Sequence, residues 1–217
     1  MLNQNFQRRL LDHLWARIQG QPYSGDEHDF TALDRDGIII DQNRIYEHKT
    51  IRFMSTTYDA HRMEESANPR THADIIILSH EDGSEGQPAF PYWHARIIGI
   101  YHFMVRQRIK GTPGLTPPSR MDVLFVRWFG FDSADGQSGW GAQRMHTVGF
   151  LPDTNSHGPA FGFLDPEEVI RMVHLIPAFS FVRVNNLMTG PSMAVRAPHP
   201  DGEYPVYYVA MYVQHIS

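Results

Sequence analysis

The chain has 217 residues, no cysteine and a formal net charge of −5 at pH 7. The missing thiols exclude disulfides, cysteine nucleophiles and every cysteine-containing zinc centre, so only His, Asp and Glu remain as metal ligands. The negative balance argues against tight non-specific nucleic-acid binding, which depends on Lys and Arg displacing counterions from phosphates, and no apolar run approaches the ~20 residues of a membrane helix.

The length suits one domain. Residues 5–19 are predicted to form a helix, because Phe6, Leu10, Leu11, Leu14, Trp15 and Ile18 recur on one stripe. Gly20 and Pro22 stop it, giving an N-terminal helix within residues 1–22 packed on a β-barrel-like unit at 23–217. Arg8, Arg9, Asp12 and Arg17 interrupt the apolar stretch that a signal peptide needs, so residence in the nucleus or cytoplasm is expected. Asp34–Arg35–Asp36–Gly37 resembles a calcium loop only superficially: with Gly37 at the sixth position, Ala32 and Asn43 would occupy the first and twelfth. Short strands are predicted at 38–40 and 49–58, a polar connection at 59–71, and a buried strand at 73–78.

The centre of the chain is a predicted hairpin, YWHARIIGIYHFMVR at 92–106 and MDVLFVRWFG at 121–130. Both strands are rich in β-branched and aromatic residues, and the glycines and prolines between them can continue neither ladder nor helix. Alternation places Trp93, Ala95, Ile97, Gly99, Tyr101, Phe103 and Val105 on one face, with His94, Arg96 and His102 on the other. The first strand exceeds the usual length of about six residues, so Gly99 is expected to mark a bulge where the sheet curls. Beyond it, 132–141 reads as a loop, 143–151 as a short strand, 152–159 as a loop, and Asp165–Pro166–Glu167–Glu168 as the start of a short helix near 166–172. An irregular connection at 180–203 leads to a last strand at 204–213. The predicted fold is mainly β (α+β): one curled antiparallel sheet or small β-barrel with an N-terminal helix.

The blocks IYEHKTIRFMSTTYDAHRMEESANPRTHADIIIL, PYWHARIIGIYHFMVR, MDVLFVRWFG, GWGAQRMHTVGF, AFGFLDPEEVIRMVHLIPAF and YYVAMYV together resemble the C-terminal region of Plavaka-type DNA transposon proteins of basidiomycete fungi. The resemblance runs from about residue 10 to residue 213. It implies that the metal-binding transposase core lies in a separate upstream region, and that a charged, glycine-rich tail follows the last strand. The absence of both here suggests a fragment, a degenerate copy or a retained host gene. A second resemblance, carried by WHARIIGIYHF, VRWFG and DPEEVIRMVHLI with YPVYYVAMY, is to bromo-adjacent homology (BAH) domains, the β-barrel modules of chromatin proteins.

Candidate chemistry is sparse. Ser138 in Gly136–Gln137–Ser138–Gly139–Trp140 lacks the second glycine of a nucleophile elbow. His94 and His102 would lie about 26 Å apart on a straight strand. The spacing leaves His72 and Asp74, with His61 or His94, as a weak metal set; scattered surface or satisfied core histidines explain the count without chemistry, and no cofactor is expected. Tyr92, Trp93, Tyr101, Trp128 and Trp140, with an acid such as Asp132, Asp122 or Asp135, would cage a methylated ammonium by cation–π attraction if they converge. Taken singly, Trp93 and Trp128 also read as core residues. Arg96, Arg106, Arg127 and Arg144 offer a phosphate-contacting stripe. The expected function is a non-catalytic module binding protein or a chromatin peptide, with DNA a weaker partner and no membrane. A metal-dependent hydrolase or nuclease using the His/Asp-rich middle is the alternative, and an assembly domain of a transposition complex the third reading.

Overall fold

The computed structural model describes residues 4–23, 28–56, 62–79, 91–109, 111–131, 145–151, 160–184 and 203–210. Helix α1 spans Gln4–Ile18. Its stripe buries Leu10 and Leu14 against Phe103, Val105, Val123, Phe125 and Phe163, and removing each leucine from water contributes about 1.5–3 kcal/mol. At its C-terminal end, where the helix dipole favours a cation, Arg17 donates to the Asp122 carbonyl at 2.6 Å and pairs with Asp165 at 2.5 Å. A one-turn helix α2, Ala32–Arg35, is closed by a Thr31/Asp34 capping box. It is anchored to α1 by the Arg35 fork on Asp12, at 2.7 and 3.0 Å.

The strands are β1 Ile38–Ile40, β2 Tyr46–His48, β3 Ile51–Thr56, β4 Arg62–Ala67, β5 Asp74–Leu78, β6 Tyr92–Gln107, β7 Ser119–Phe131, β8 Thr147–Phe150, β9 Phe161–Leu164, β10 Val169–Met172, β11 His174–Pro177 and β12 Tyr207–Ala210. Strands β3 and β4 form their own hairpin. The other ten make one antiparallel sheet with the order β10-β5-β6-β7-β8-β12-β11, in which β1 and β2 extend the free side of β6, and β9 that of β7.

The expected hairpin is therefore the spine of a mainly β fold, but the sheet does not close into a barrel. Its end strands β10 and β11 are consecutive pieces of one chain segment, parted only at Val173, whose N–H donates to the Asp74 carbonyl. Lying end to end, they cannot pair side by side; β10 follows β5 while β11 leaves for β12.

The ladder between β6 and β7 slips between Ile97 and Gly99, where the bulge was expected. Its consequence is larger than the alternation rule suggests, because an extra residue in one strand reverses the facing of everything beyond it. Ala95 opposes Trp128, Ile97 opposes Val126, and after the slip Ile100 opposes Leu124 and His102 opposes Asp122. Opposed residues share a face, so His102 lies on the Ala95 face, away from His94 and Arg96. This corrects the predicted grouping. Tyr101, Phe103 and Val105 change sides in the same way and pack beneath α1.

Two further expectations change. The short helix near 166–172 is a single 3-10 turn, Pro166–Glu168, followed by β10 and β11. Asp165 does cap it, accepting from the Glu167 N–H at 3.0 Å, but the β-branched Val169 and Ile170 pass directly into the β5 ladder. The polar connection at 59–71 contains β4, whose side chains alternate between exposed and half-buried.

Candidate functional site

Trp93 and Trp128 stand on the same face near the start of the hairpin, since Trp128 opposes Ala95. Their rings are 6.3 Å apart at 73°. The third ring is Tyr23, just beyond α1, which lies 6.3 Å from Trp128 at 21° and 6.5 Å from Trp93 at 86°. Two walls are thus nearly parallel and the third stands across them. Trp128 forms the floor, 8 % exposed, while Trp93 and Tyr23 are half-buried at the rim of the main core. Gly162 beneath the floor is required by close approach: a Cβ there would stand 2.6 Å from the Trp128 Nε1.

Tyr23 was not singled out from sequence; it sits in no periodic pattern, and only its place after the Gly20–Pro22 helix stop hints that the chain turns back there. The other aromatic candidates do not join. Tyr92 is half-buried at the start of β6, opposite Leu78. Tyr101 lies about 26 Å from Trp93 along the strand, with its ring over Gly99 and 6.5 Å from Phe103. Burial, with a smaller contribution from Glu47, pushes its phenol pKa up. Trp140, Asp132, Asp135, Arg144 and His61 lie outside the described residues.

Tyr23 also lines a cavity of about 310 Å³, with His13, Arg17, His28, Asp165 and Glu168 among its walls. His13 is 6 % exposed, and its Nε2 has no hydrogen-bond partner among the described residues. Burial, reinforced by Arg17, lowers its pKa to about 3. The cavity thus places the Asp165 and Glu168 carboxylates beside a neutral imidazole and the edge of the aromatic box.

The arginines predicted as a stripe are divided by the fold. Arg96 and Arg127 oppose each other on the face away from the tryptophans and are buried. Arg96 donates to Asp74 at 2.7 Å and to Glu203 at 3.2 Å; Arg127 lies 3.6 Å from Glu203, with its guanidinium 3.8 Å from the Phe150 ring centroid. Burial alone would lower the pKa of Arg96, but the Asp74 carboxylate outweighs it and holds the guanidinium charged. Two cations and two carboxylates balance inside an aromatic shell of Phe129, Phe150 and Tyr207, so neither arginine faces a phosphate backbone. Arg106 is half-exposed and paired with Asp41 at 2.8 Å.

The suggested metal set is likewise dispersed. His72 is exposed in the turn before β5, Asp74 is taken by Arg96, and His94 is buried two rungs along the ladder, opposite Ile76. Burial, with His146 adding to it, lowers the His94 pKa to about 4. A different trio converges at the far end of the hairpin: His48, His102 and Asp122 bring ligand atoms within 4.8 Å of one another. Comparisons with protein-family models, curated proteins and solved structures returned no match to this chain.

Proposed function

We propose that the chain is a non-catalytic protein-binding module that receives a methylated ammonium group of a basic peptide, such as a chromatin tail, between Tyr23, Trp93 and Trp128. The observation that carries this reading is the disposition of the three rings. A point equidistant from centroids 6.3–6.5 Å apart lies about 3.7 Å from each, inside the ~6 Å reach of cation–π attraction. At this spacing the rings touch one another, so the methylated group enters as the two half-buried rings, Tyr23 and Trp93, part from the Trp128 floor. The net charge of −5 favours approach of a basic partner, and Glu168 lies along the adjoining cavity, where Asp165 is already paired with Arg17. Nuclear residence and descent from a transposon protein belong to the same reading, supported by the ordered sequence blocks.

The test is a fluorescence titration of unmodified and trimethylated lysine peptides chosen from a histone-peptide array. Trimethylated peptide should bind the native chain and lose at least about tenfold in affinity to Trp93→Ala and Tyr23→Ala. Equal affinity for modified and unmodified peptides, or binding insensitive to both substitutions in folded protein, would overturn the proposal.

A further inference from the structure

The bulge at Gly99 turns His102 onto the face of the hairpin that α1 does not cover, and three strands meet around it. Tyr46 of β2 opposes His102 on one side and Asp122 of β7 opposes it on the other. His48, two residues after Tyr46, projects from the same face of β2 and reaches His102 diagonally: His48 Nε2 and His102 Nδ1 are 2.6 Å apart. All three side chains are half-buried, with ligand atoms within 4.8 Å of one another.

From this geometry we propose that His48, His102 and Asp122 bind one divalent transition-metal ion, zinc or a neighbour of it in the series. Two imidazoles and one carboxylate suit that class, whereas calcium and magnesium prefer all-oxygen shells. Nitrogens bound to zinc at ~2.1 Å in tetrahedral geometry stand about 3.4 Å apart, so the two nitrogens, now 2.6 Å apart, must separate by about 0.8 Å and turn their lone pairs from each other toward the ion. The surroundings hold the ligands in place. Tyr46 stacks on His102 at 4.5 Å and 4°, fixing its ring plane, and Arg17 grips the Asp122 backbone carbonyl at 2.6 Å.

One feature opposes the ion. Arg120 clasps the Asp122 carboxylate, with Nη2 at 2.7 Å from Oδ1 and Nε at 3.2 Å from both oxygens, so binding must share or displace that contact. Three protein ligands leave a fourth position open to water or a donor from a partner. The site lies about 20 Å along the strand from Trp128, counted over six residues at 3.3 Å each, and is independent of the aromatic box.

The experiment is calorimetric titration of the full chain with zinc chloride, with the visible spectrum of added cobalt(II) as a second readout. One ion per chain is expected, with the cobalt bands of a low-symmetry nitrogen/oxygen site. His48→Gln, His102→Gln and Asp122→Asn should each weaken binding by at least about tenfold, whereas His72→Gln, at an exposed histidine outside the trio, should not. Arg120→Gln should tighten it. Circular dichroism separates lost ligands from lost fold, and His48→Gln and Asp122→Asn remain decisive if His102→Gln unfolds. Absence of stoichiometric binding, equal loss in His72→Gln, or weaker binding in Arg120→Gln would overturn the assignment.

Discussion

The two ends of the β6–β7 hairpin are made from similar residues and face different fates. At the end near Trp93 both faces are covered: the main core lies on one side, and on the other Asp74, Arg96, Arg127 and Glu203 are enclosed by aromatic rings. At the far end only the face beneath α1 is covered, and His102 with Asp122 stays within reach of solvent. Charged groups at the first end hold the fold together, because they are buried and ion-paired with one another. Those at the second retain capacity for a ligand. An arginine or histidine on this hairpin therefore takes its role from its position relative to the bulge, not from its type.

The sharpest way to break that contrast is at the enclosed charges. Asp74→Ala removes the main partner of Arg96 and leaves a cation in a dry site, which should cost about 3–5 kcal/mol in urea unfolding. Arg120→Gln, at an exposed pair, should change stability by less than about 0.5 kcal/mol. Similar losses at both sites would erase the distinction.

The buried histidines make the next largest effect. His13 and His94 are held at about 3 and about 4 in the fold, against roughly 6.5 in an unfolded chain. As pH falls below 6.5 the unfolded chain takes up protons before the folded one does. Stability from these groups is thus complete above pH 6.5 and declines as pH drops toward 4, by up to about 1.4 kcal/mol per pH unit for each. Between pH 7 and pH 5 the loss should reach about 2–4 kcal/mol, and His13→Gln should flatten part of the slope. A pH-independent urea midpoint over that range would contradict the burial of these rings.

A smaller perturbation sharpens the bulge itself. Gly99→Val adds a Cβ that would meet the Tyr101 ring at 2.5 Å, so a cost of about 1–3 kcal/mol is expected. Gly114→Ala, in the turn, meets its nearest neighbour only at 3.4 Å and should be close to neutral in the same melt.

Much of this frame was legible in the sequence, for reasons that also mark where legibility ends. Helix α1 and strands β5, β6 and β7 announce themselves through long periodic or β-branched runs, and Gly99 stands out in a strand too long to be regular. The reversal of facing after Gly99 follows from cross-strand register, which no single strand encodes; His102 was accordingly grouped with His94. His48 and Tyr23 belong to their sites through contacts across strands or after a helix stop, with no local pattern to reveal them. The polar β4 hid because its hairpin is largely exposed. Asp165–Pro166 misled because the chemistry that starts a helix also caps a single turn, and the β-branched residues beyond decide which follows. Arg96 and Arg127 look like surface cations in a list of residues; burial beside Asp74 and Glu203 is a property of the folded sheet.

The most direct test of the central claim follows the indole N–H resonances of Trp93 and Trp128 by NMR while tetramethylammonium is added to the folded chain. The account expects both signals to shift together and saturably, and Tyr23→Ala to abolish the response. Signals that stay fixed through millimolar tetramethylammonium, or that move equally in Tyr23→Ala, would contradict a three-walled receptor for a methylated cation.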